Sequence, residues 1–251
     1  MCGRFKLTTP PEDLRQYLRY PEHPNFPPRY NIAPTQPIAA IRAGAEPGER
    51  HFVLLRWGLI PPWVKDVAKF PLIINARAEE AAGKPAFRTA IRRRRCLIPA
   101  DGFYEWQAPA GKGGRKVPFL IQRQDGGPFA FGGLWEHYID ADGNEIETAA
   151  ILTTHANADL EPIHARCPVI IDEADFARWL DHTEERVEPV ADLLVPPPDG
   201  FFSAYAVSTL VNSVANDNAA LIEPAGGEPI APRPREKPAD QKPDPKQLKL
   251  F

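Results

Sequence analysis

The sequence contains little cysteine, no long apolar run and no excess of positive charge. Its three cysteines, Cys2, Cys96 and Cys167, form no C-x-x-C pair, which argues against a disulfide framework or a structural zinc site. No apolar run is long enough to cross a membrane, and the N-terminus lacks the pattern of a signal peptide. We therefore expect a cytoplasmic protein with reduced thiols, no membrane partner and no metal or cofactor.

The net charge of −3 means that any binding of nucleic acid must come from a local basic patch. The 251 residues are 43% hydrophobic, which is enough for a packed core. Many of the 30 prolines lie in the stretch "EPAGGEPIAPRPREKPADQKPDPK", which is rich in charge and lacks aromatics. We expect one folded domain over residues 1–223, a disordered linker over 224–246, and a separate apolar peptide, "QLKLF", over 247–251.

Short strand-like runs separated by turn signals dominate the folded part, with a few short helices between them. This pattern predicts an α+β fold that is mainly β. The segment "TTPPEDLRQYL" predicts a helix that Thr9 caps, with Leu14 and Leu18 on one face, and "IDEADFARWL" predicts a helix capped by Asp172.

Cys2 directly follows the initiator methionine, and its small side chain is compatible with removal of Met1. The mature chain would then begin with an α-amine and a thiol on adjacent carbons, both partly nucleophilic near neutral pH. Such a pair can capture an aldehyde, because the amine forms a Schiff base to which the thiol adds, closing a thiazolidine. The alternative is an ordinary buried cysteine in a first strand.

Three further stretches carry candidate catalytic residues. In "INARAE", Asn75 and Arg77 alternate with Ala76, so an extended chain places both on one side; the alternative is that Asn75 caps a helix. In "DGFYEWQ", Glu105 lies between aromatics, where a carboxylate suits general acid–base chemistry, unless it simply faces water. In "EPIHARCP", His164 offers a proton carrier or a structural histidine.

Basic and aromatic residues that could bind a nucleic acid are interleaved with these stretches. A phosphate-binding groove is predicted from Arg4, Arg77, Arg88 and the run Arg92 to Arg95, although that run also suits the solvated end of a helix. Base stacking is predicted for Trp57, Trp63 and Trp106.

The motifs "MCGRF", "YNIAPTQ", "RWGLIPPW", "INARAE", "RRCLIPADGFYEW", "TTHANADLEPIHARCP" and "LIEP" occur in this order. Together they resemble the SRAP family (SOS response-associated peptidases, or abasic-site processing proteins). Each motif alone is modestly specific, but their order from Cys2 to about Pro224 covers nearly the whole folded part. The resemblance implies a compact single domain around a central, barrel-like mixed β structure.

The resemblance also implies a DNA repair function. Members of the family bind single-stranded DNA and attach covalently to abasic sites through the N-terminal cysteine, as a thiazolidine. Carried over by motif, Cys2 is the nucleophile, Glu105 moves protons, His164 assists opening of the sugar ring and reversal, and Asn75 positions the amine or the sugar. The DNA-binding residues implied or predicted in this way are Arg4, Trp63, Arg77, Arg88, Trp106 and Thr153. The protein would act as a monomer and associate with the nucleoid when bound to DNA.

Two other functions use part of the same residues. An N-terminal-nucleophile amidohydrolase or peptidase would use Cys2 against an amide, and autocatalytic removal of Met1 is left open. A non-catalytic single-strand binder would use only the arginines and tryptophans. The terminal "QLKLF" is similar to peptides that dock on the replication sliding clamp, with Gln247, Leu248, Leu250 and Phe251 as the contact residues.

Overall fold

The computed structural model describes residues 2–109, 114–183 and 185–226. Most of the predicted linker and the whole predicted clamp-binding peptide, Gln247, Leu248, Leu250 and Phe251, lie outside these residues. The strands are β1 (Phe5–Leu7), β2 (Arg29–Ile32), β3 (Pro37–Ala43), β4 (Arg50–Trp57), β5 (Asn75–Arg77), β6 (Arg95–Ala100), β7 (Gly102–Gln107), β8 (Val117–Arg123), β9 (Phe129–Ile139), β10 (Glu145–His155), β11 (Arg166–Pro168), β12 (Ile170–Ile171) and β13 (Phe202–Ala206).

The helices are short. The α-helices are α1 (Pro11–Leu18), α2 (Ala78–Ala81), α3 (Ala90–Arg93) and α4 (Phe176–Leu180), and 3-10 helices span Glu173–Asp175, Glu188–Leu193, Thr209–Asn212 and Ala219–Ile222. No helix in the described ranges has the length and apolar character that a membrane crossing requires.

Five strands form a closed ring, in the spatial order β3, β4, β10, β9 and β6. The ring closes because β6 pairs with β3. The ring is mixed because β10 runs parallel to β4 and antiparallel to β9. Each of these strands therefore has a neighbour on both sides, although β4 pairs with β10 and β3 with β6 over only a few residues. The expected α+β class with a barrel-like mixed β structure is confirmed.

A second, antiparallel sheet of β13, β8, β7, β1 and β2 packs on the barrel. Edge-to-face aromatic contacts join the two: Phe131 of β9 lies 5.8 Å from Phe5 of β1 and 6.0 Å from Phe103 of β7, measured between ring centroids. Trp57 lies 5.2 Å from Phe5 and is fully buried. The prediction that Trp57 stacks on bases is therefore wrong, because its ring belongs to this core.

Two local predictions about helix starts had different outcomes. Leu14 and Leu18 are buried on one face of α1, as predicted, but Pro10 is the capping residue. The Thr9 hydroxyl instead donates a hydrogen bond of 2.6 Å to the buried carboxylate of Asp101, so a tertiary partner has replaced the local cap. Asp172 does cap the 3-10 turn that leads into α4, by accepting from the Ala174 amide.

Candidate active site

Cys2 lies just before β1 and is buried, with 1% of its surface exposed. Strand β1 pairs with β7 so that Phe5 is opposite Phe103, and the Tyr104 amide donates to the Arg4 carbonyl. The N-terminal residues therefore run alongside β7. Cys2 precedes that strand and is packed in the buried core, so its role as nucleophile stays a prediction beside the alternative of an ordinary buried cysteine.

Asn75 holds the backbone of Cys2 directly. Its Nδ2 atom donates to the Cys2 carbonyl oxygen at 2.9 Å, and its buried Oδ1 has no hydrogen-bond partner among the described residues. Strand β5 pairs with β10, with Ala76 buried and Arg77 exposed, as the alternation predicts. The residue at the start of α2 is Arg77, so the alternative role of Asn75 as a helix cap is wrong.

Glu105 is buried on β7, so the alternative in which it faces water is also wrong. Burial raises the pKa of the Cys2 thiol well above its usual value, and the negative charge of Glu105 raises it further. Both effects disfavour the thiolate form of Cys2.

His164 lies at the end of a turn that is tied to the same strand. Gln107 of β7 donates from Nε2 to the Pro162 carbonyl oxygen at 2.8 Å. The His164 Nδ1 atom lies 3.0 Å from both the amide nitrogen and the carbonyl oxygen of Arg166. The neutral ring can accept from the amide and the protonated ring can donate to the carbonyl, so this position suits a group that exchanges a proton.

The predicted phosphate-binding arginines differ in how accessible they are. Arg77 and Arg88 are exposed. Arg4 donates to the Asn31 side chain and to the Val211 and Asn212 carbonyls, and burial lowers its pKa. Arg4 thus anchors the segment around Thr209–Asn212, and its DNA contact stays a prediction.

The arginine run Arg92 to Arg95 serves mainly the fold. The guanidinium of Arg95 is buried against the backbone carbonyls of Ile91, Arg92, Trp179 and Asp181, so its predicted phosphate contact is wrong. Arg94 pairs with the buried carboxylate of Glu136. Arg92 and Arg93 are exposed, which fits the solvated end of a short helix.

Trp63 is 56% exposed on the loop between β4 and β5. Gly58 begins this loop at a φ of +136°, a conformation that favours glycine, and Leu59 pairs with Ile73 across its base. Trp63 therefore projects from an anchored loop. Trp106 is half-buried, and its Nε1 donates to the Asn212 side chain at 2.7 Å.

Asn75 is one of the residues that line a groove of about 490 Å³. Apolar walls and two cations, Arg77 and Lys84, share this groove. Apolar surface together with fixed positive charge suits a nucleotide, whose base is flat and whose phosphate is anionic. Within the described residues, no group of three or more His, Cys, Asp or Glu side chains could hold a metal ion.

A family model described as SOS response associated peptidase (SRAP) matches residues 1–214. The chain belongs to the SRAP family. It is 38% identical over 226 residues to the abasic site processing protein YoqW of Bacillus subtilis, covering 89% of this chain and 99% of the relative. It is 31% identical over 233 residues to the abasic site processing protein YedK of Escherichia coli, covering 89% of this chain and 100% of the relative.

The fold of this SRAP chain also matches solved structures. A crystal structure of a protein from Bacteroides thetaiotaomicron superposes with a TM-score of 0.77 and 24% identity, covering 89% of this chain and 100% of that one. This likeness establishes the shared fold.

Thr153 requires a correction in the SRAP site. It is fully buried, at 0% exposure, and its carbonyl oxygen accepts from Arg166 Nη2 at 2.6 Å. The predicted DNA contact is therefore wrong, because Thr153 holds Arg166 and does not reach the surface. Arg166 itself was missed by the sequence analysis, although it lies within the same "HARCP" stretch as His164.

Proposed function

We propose that the protein forms a covalent thiazolidine crosslink with abasic sites in single-stranded DNA through Cys2, once Met1 has been removed. The observation that carries the proposal is the hydrogen bond of 2.9 Å from the Asn75 amide to the Cys2 carbonyl oxygen, with Glu105 buried on β7, the strand that pairs with β1. The names of the relatives, abasic site processing proteins, support handling of abasic sites.

The reaction begins with the amine and not with the thiol. Because burial and the charge of Glu105 both keep the Cys2 thiol protonated, the sulfur is a poor first nucleophile. The free α-amine adds to the aldehyde carbon of the opened sugar, and the adduct loses water to give a Schiff base. The sulfur then adds to the imine carbon, the thiol proton passes to the nitrogen, and the thiazolidine closes. Water is the by-product.

Each neighbouring side chain has a part in these steps. Glu105 takes a proton from the amine and returns it to the departing hydroxyl. Asn75 holds the Cys2 backbone, and its Oδ1 accepts from the new amine or from a sugar hydroxyl. His164 gives and takes the proton that opens the sugar ring and reverses the crosslink.

DNA contacts outside the reaction centre complete the proposal. Trp63 stacks on a base from its exposed loop, Trp106 lines the approach to Cys2, and the guanidinium groups of Arg4, Arg77 and Arg88 meet phosphates. Single-strand preference follows because bases must be unpaired to stack in this way.

A denaturing gel tests the crosslink. Protein whose mass confirms loss of Met1 is mixed with a single-stranded oligonucleotide that carries one abasic site, beside an undamaged oligonucleotide. We expect a slowly migrating band that requires both the abasic site and Cys2. Cys2→Ala abolishes it, whereas Cys167→Ala, a matched change at another buried cysteine, retains it. Absence of the band with Met1-free protein would favour the amidohydrolase or the simple binder.

We also propose that the C-terminal peptide docks on the replication sliding clamp. The apolar side chains of Leu248, Leu250 and Phe251 would fill a pocket, with Gln247 at its edge, and the linker would raise the local concentration of the domain at replicated DNA. Titration of the tail peptide against the clamp should show binding that Phe251→Ala removes. Equal binding by the two peptides would contradict the proposal.

A further inference from the structure

Two consecutive carboxylates, Glu79 and Glu80, form ion pairs with cations at and near the groove that contains Asn75. Glu79 pairs with Arg166 in a forked geometry, with Nη1 to Oε1 at 2.5 Å and Nη2 to Oε2 at 3.0 Å. Glu80 pairs with Arg77 at 3.1 Å and also with Lys84. Two carboxylates in the first turn of α2 therefore pair with three cations.

The three cations are linked to the groove at Asn75. Arg77 and Lys84 line the groove that contains Asn75, and Asn75 contacts Cys2. Arg77 is paired in register with Thr153, whose carbonyl oxygen holds Arg166. Arg77 and Arg166 thus belong to the same part of the β5–β10–β11 arrangement, and Lys84 is linked to Arg77 through Glu80.

A carboxylate and a phosphate present the same kind of target to a guanidinium. Each presents two oxygens that share a negative charge and accept two parallel hydrogen bonds from its fork. The donors that Glu79 and Glu80 engage are therefore the donors that phosphates would need. A phosphate can enter only by displacing a carboxylate or by sharing its cation.

We propose that Glu79 and Glu80 compete with DNA phosphates for Arg166, Arg77 and Lys84 and so weaken binding to undamaged single strands. The inference rests on the proposed function, since it assumes that a strand occupies this groove. Its consequence is a modest gain in selectivity, because an undamaged strand dissociates sooner whereas a strand that reacts with Cys2 is held covalently.

Arg166 and the backbone of Arg77 have supports other than the carboxylates. Arg166 is only 17% exposed, and Thr153 holds its Nη2 through the carbonyl oxygen at 2.6 Å and the hydroxyl at 3.2 Å. The backbone of Arg77 is fixed by the pairing of β5 with β10. Neutralising Glu79 and Glu80 therefore frees donors without removing the supports of Arg166 and Arg77, and binding should become tighter.

The test uses the full chain with Glu79→Gln and Glu80→Gln, singly and together. Binding to an undamaged, fluorescently labelled single strand is measured by anisotropy at several salt concentrations. We expect affinity to rise by about two- to fivefold for each carboxylate, the range of partly exposed ion pairs. The slope of log affinity against log salt should steepen by about 0.7 for each further phosphate that the freed cations neutralise.

Glu12→Gln is the matched control, because Glu12 pairs with Arg15 three residues along α1, as Arg77 pairs with Glu80. The control changes the net charge equally and should leave affinity unchanged. Equal tightening by the control would overturn this inference but not the proposed function. The same holds if the Glu79 and Glu80 variants keep their melting temperature and bind no more tightly than the wild type. If neither the wild type nor the double variant binds single strands, the proposed function fails as well.

Discussion

Cys2 and Arg77 lie on either side of Asn75, and they differ in their access to water. Cys2 is buried, and its surroundings raise the pKa of its thiol. Arg77 is exposed, and at the same rim a hydrogen bond from Arg166 lowers the pKa of Glu79 below its usual value. The reaction centre thus holds its sulfur neutral, whereas the rim holds its groups charged.

This difference separates two tasks. In the interior, desolvation shifts the pKa of a nucleophile strongly, so replacing a neighbouring charged side chain has a large effect on that pKa. At the rim, water and salt screen each ion pair, so that one anion can replace another at small cost. Variants of the centre should therefore change the rate of crosslinking, and variants of the rim should change affinity and its dependence on salt.

The largest effect is expected for Glu105→Gln. The rate of crosslinking should fall about 100-fold, because the amide cannot accept the amine proton, while affinity for undamaged single strands should change less than about twofold. Removing the negative charge should also lower the pKa of the Cys2 thiol, although burial still keeps it raised. Crosslinking kinetics and the pH dependence of thiol alkylation measure the two effects.

Glu136→Gln is the control for that comparison, because Glu136 is a buried carboxylate that pairs with Arg94 and not with Cys2. It should leave the rate of crosslinking unchanged. Equal slowing by the two variants would mean that Glu105 acts through stability, and the distinction between centre and rim would be lost.

An intermediate effect is expected for Trp63→Ala. Loss of a stacked base weakens single-strand binding by about 1–3 kcal/mol, or roughly 5- to 150-fold, without changing the salt slope. Arg77→Ala should instead reduce the salt slope by about 0.7. Anisotropy titrations across salt concentrations separate the two, with Leu54→Ala, another exposed apolar residue, as the control. An unchanged affinity for Trp63→Ala would place the strand elsewhere.

The smallest effect concerns an ion pair that is not part of the site. The His51 Nδ1 atom lies 2.7 Å from Glu22, and this hydrogen bond raises the pKa of His51 above 6.5. The stabilisation is therefore fully present below about pH 6.5 and is lost as the pH rises through the raised pKa. Both side chains are more than one-third exposed, so screening limits the contribution to under about 1 kcal/mol.

Urea unfolding of wild type and His51→Gln at about pH 6 and about pH 8 measures this contribution. The difference in unfolding free energy between the two proteins should shrink at the higher pH. A difference in unfolding free energy that grows at the higher pH would contradict the raised pKa of His51. A difference well above about 1 kcal/mol would show that this exposed ion pair is not weak.

Several features follow from short stretches of sequence. The alternation in "NAR" is sufficient to predict that Asn75 and Arg77 lie on the opposite side of β5 from buried Ala76. The Asp172 cap depends only on the amide of Ala174, two residues along the chain. Such predictions succeed because the deciding contacts are local. Thr9 shows the limit, since its hydroxyl could cap α1 but instead binds Asp101, which is distant in sequence.

The sequence by itself determined the membership of the family, the strand-rich composition and the chemistry that an N-terminal Cys2 can perform, because these depend on residue identity and order. Only the tertiary structure decided access. Trp57 and Trp63 are the same residue type six positions apart, yet one is core and the other is 56% exposed. Thr153 became a support for Arg166, and Glu79 and Glu80 came to cover the cations. Which side chains are buried and which charges form pairs depends on strands that are distant in sequence. No local pattern shows which of these strands will pack against a given residue.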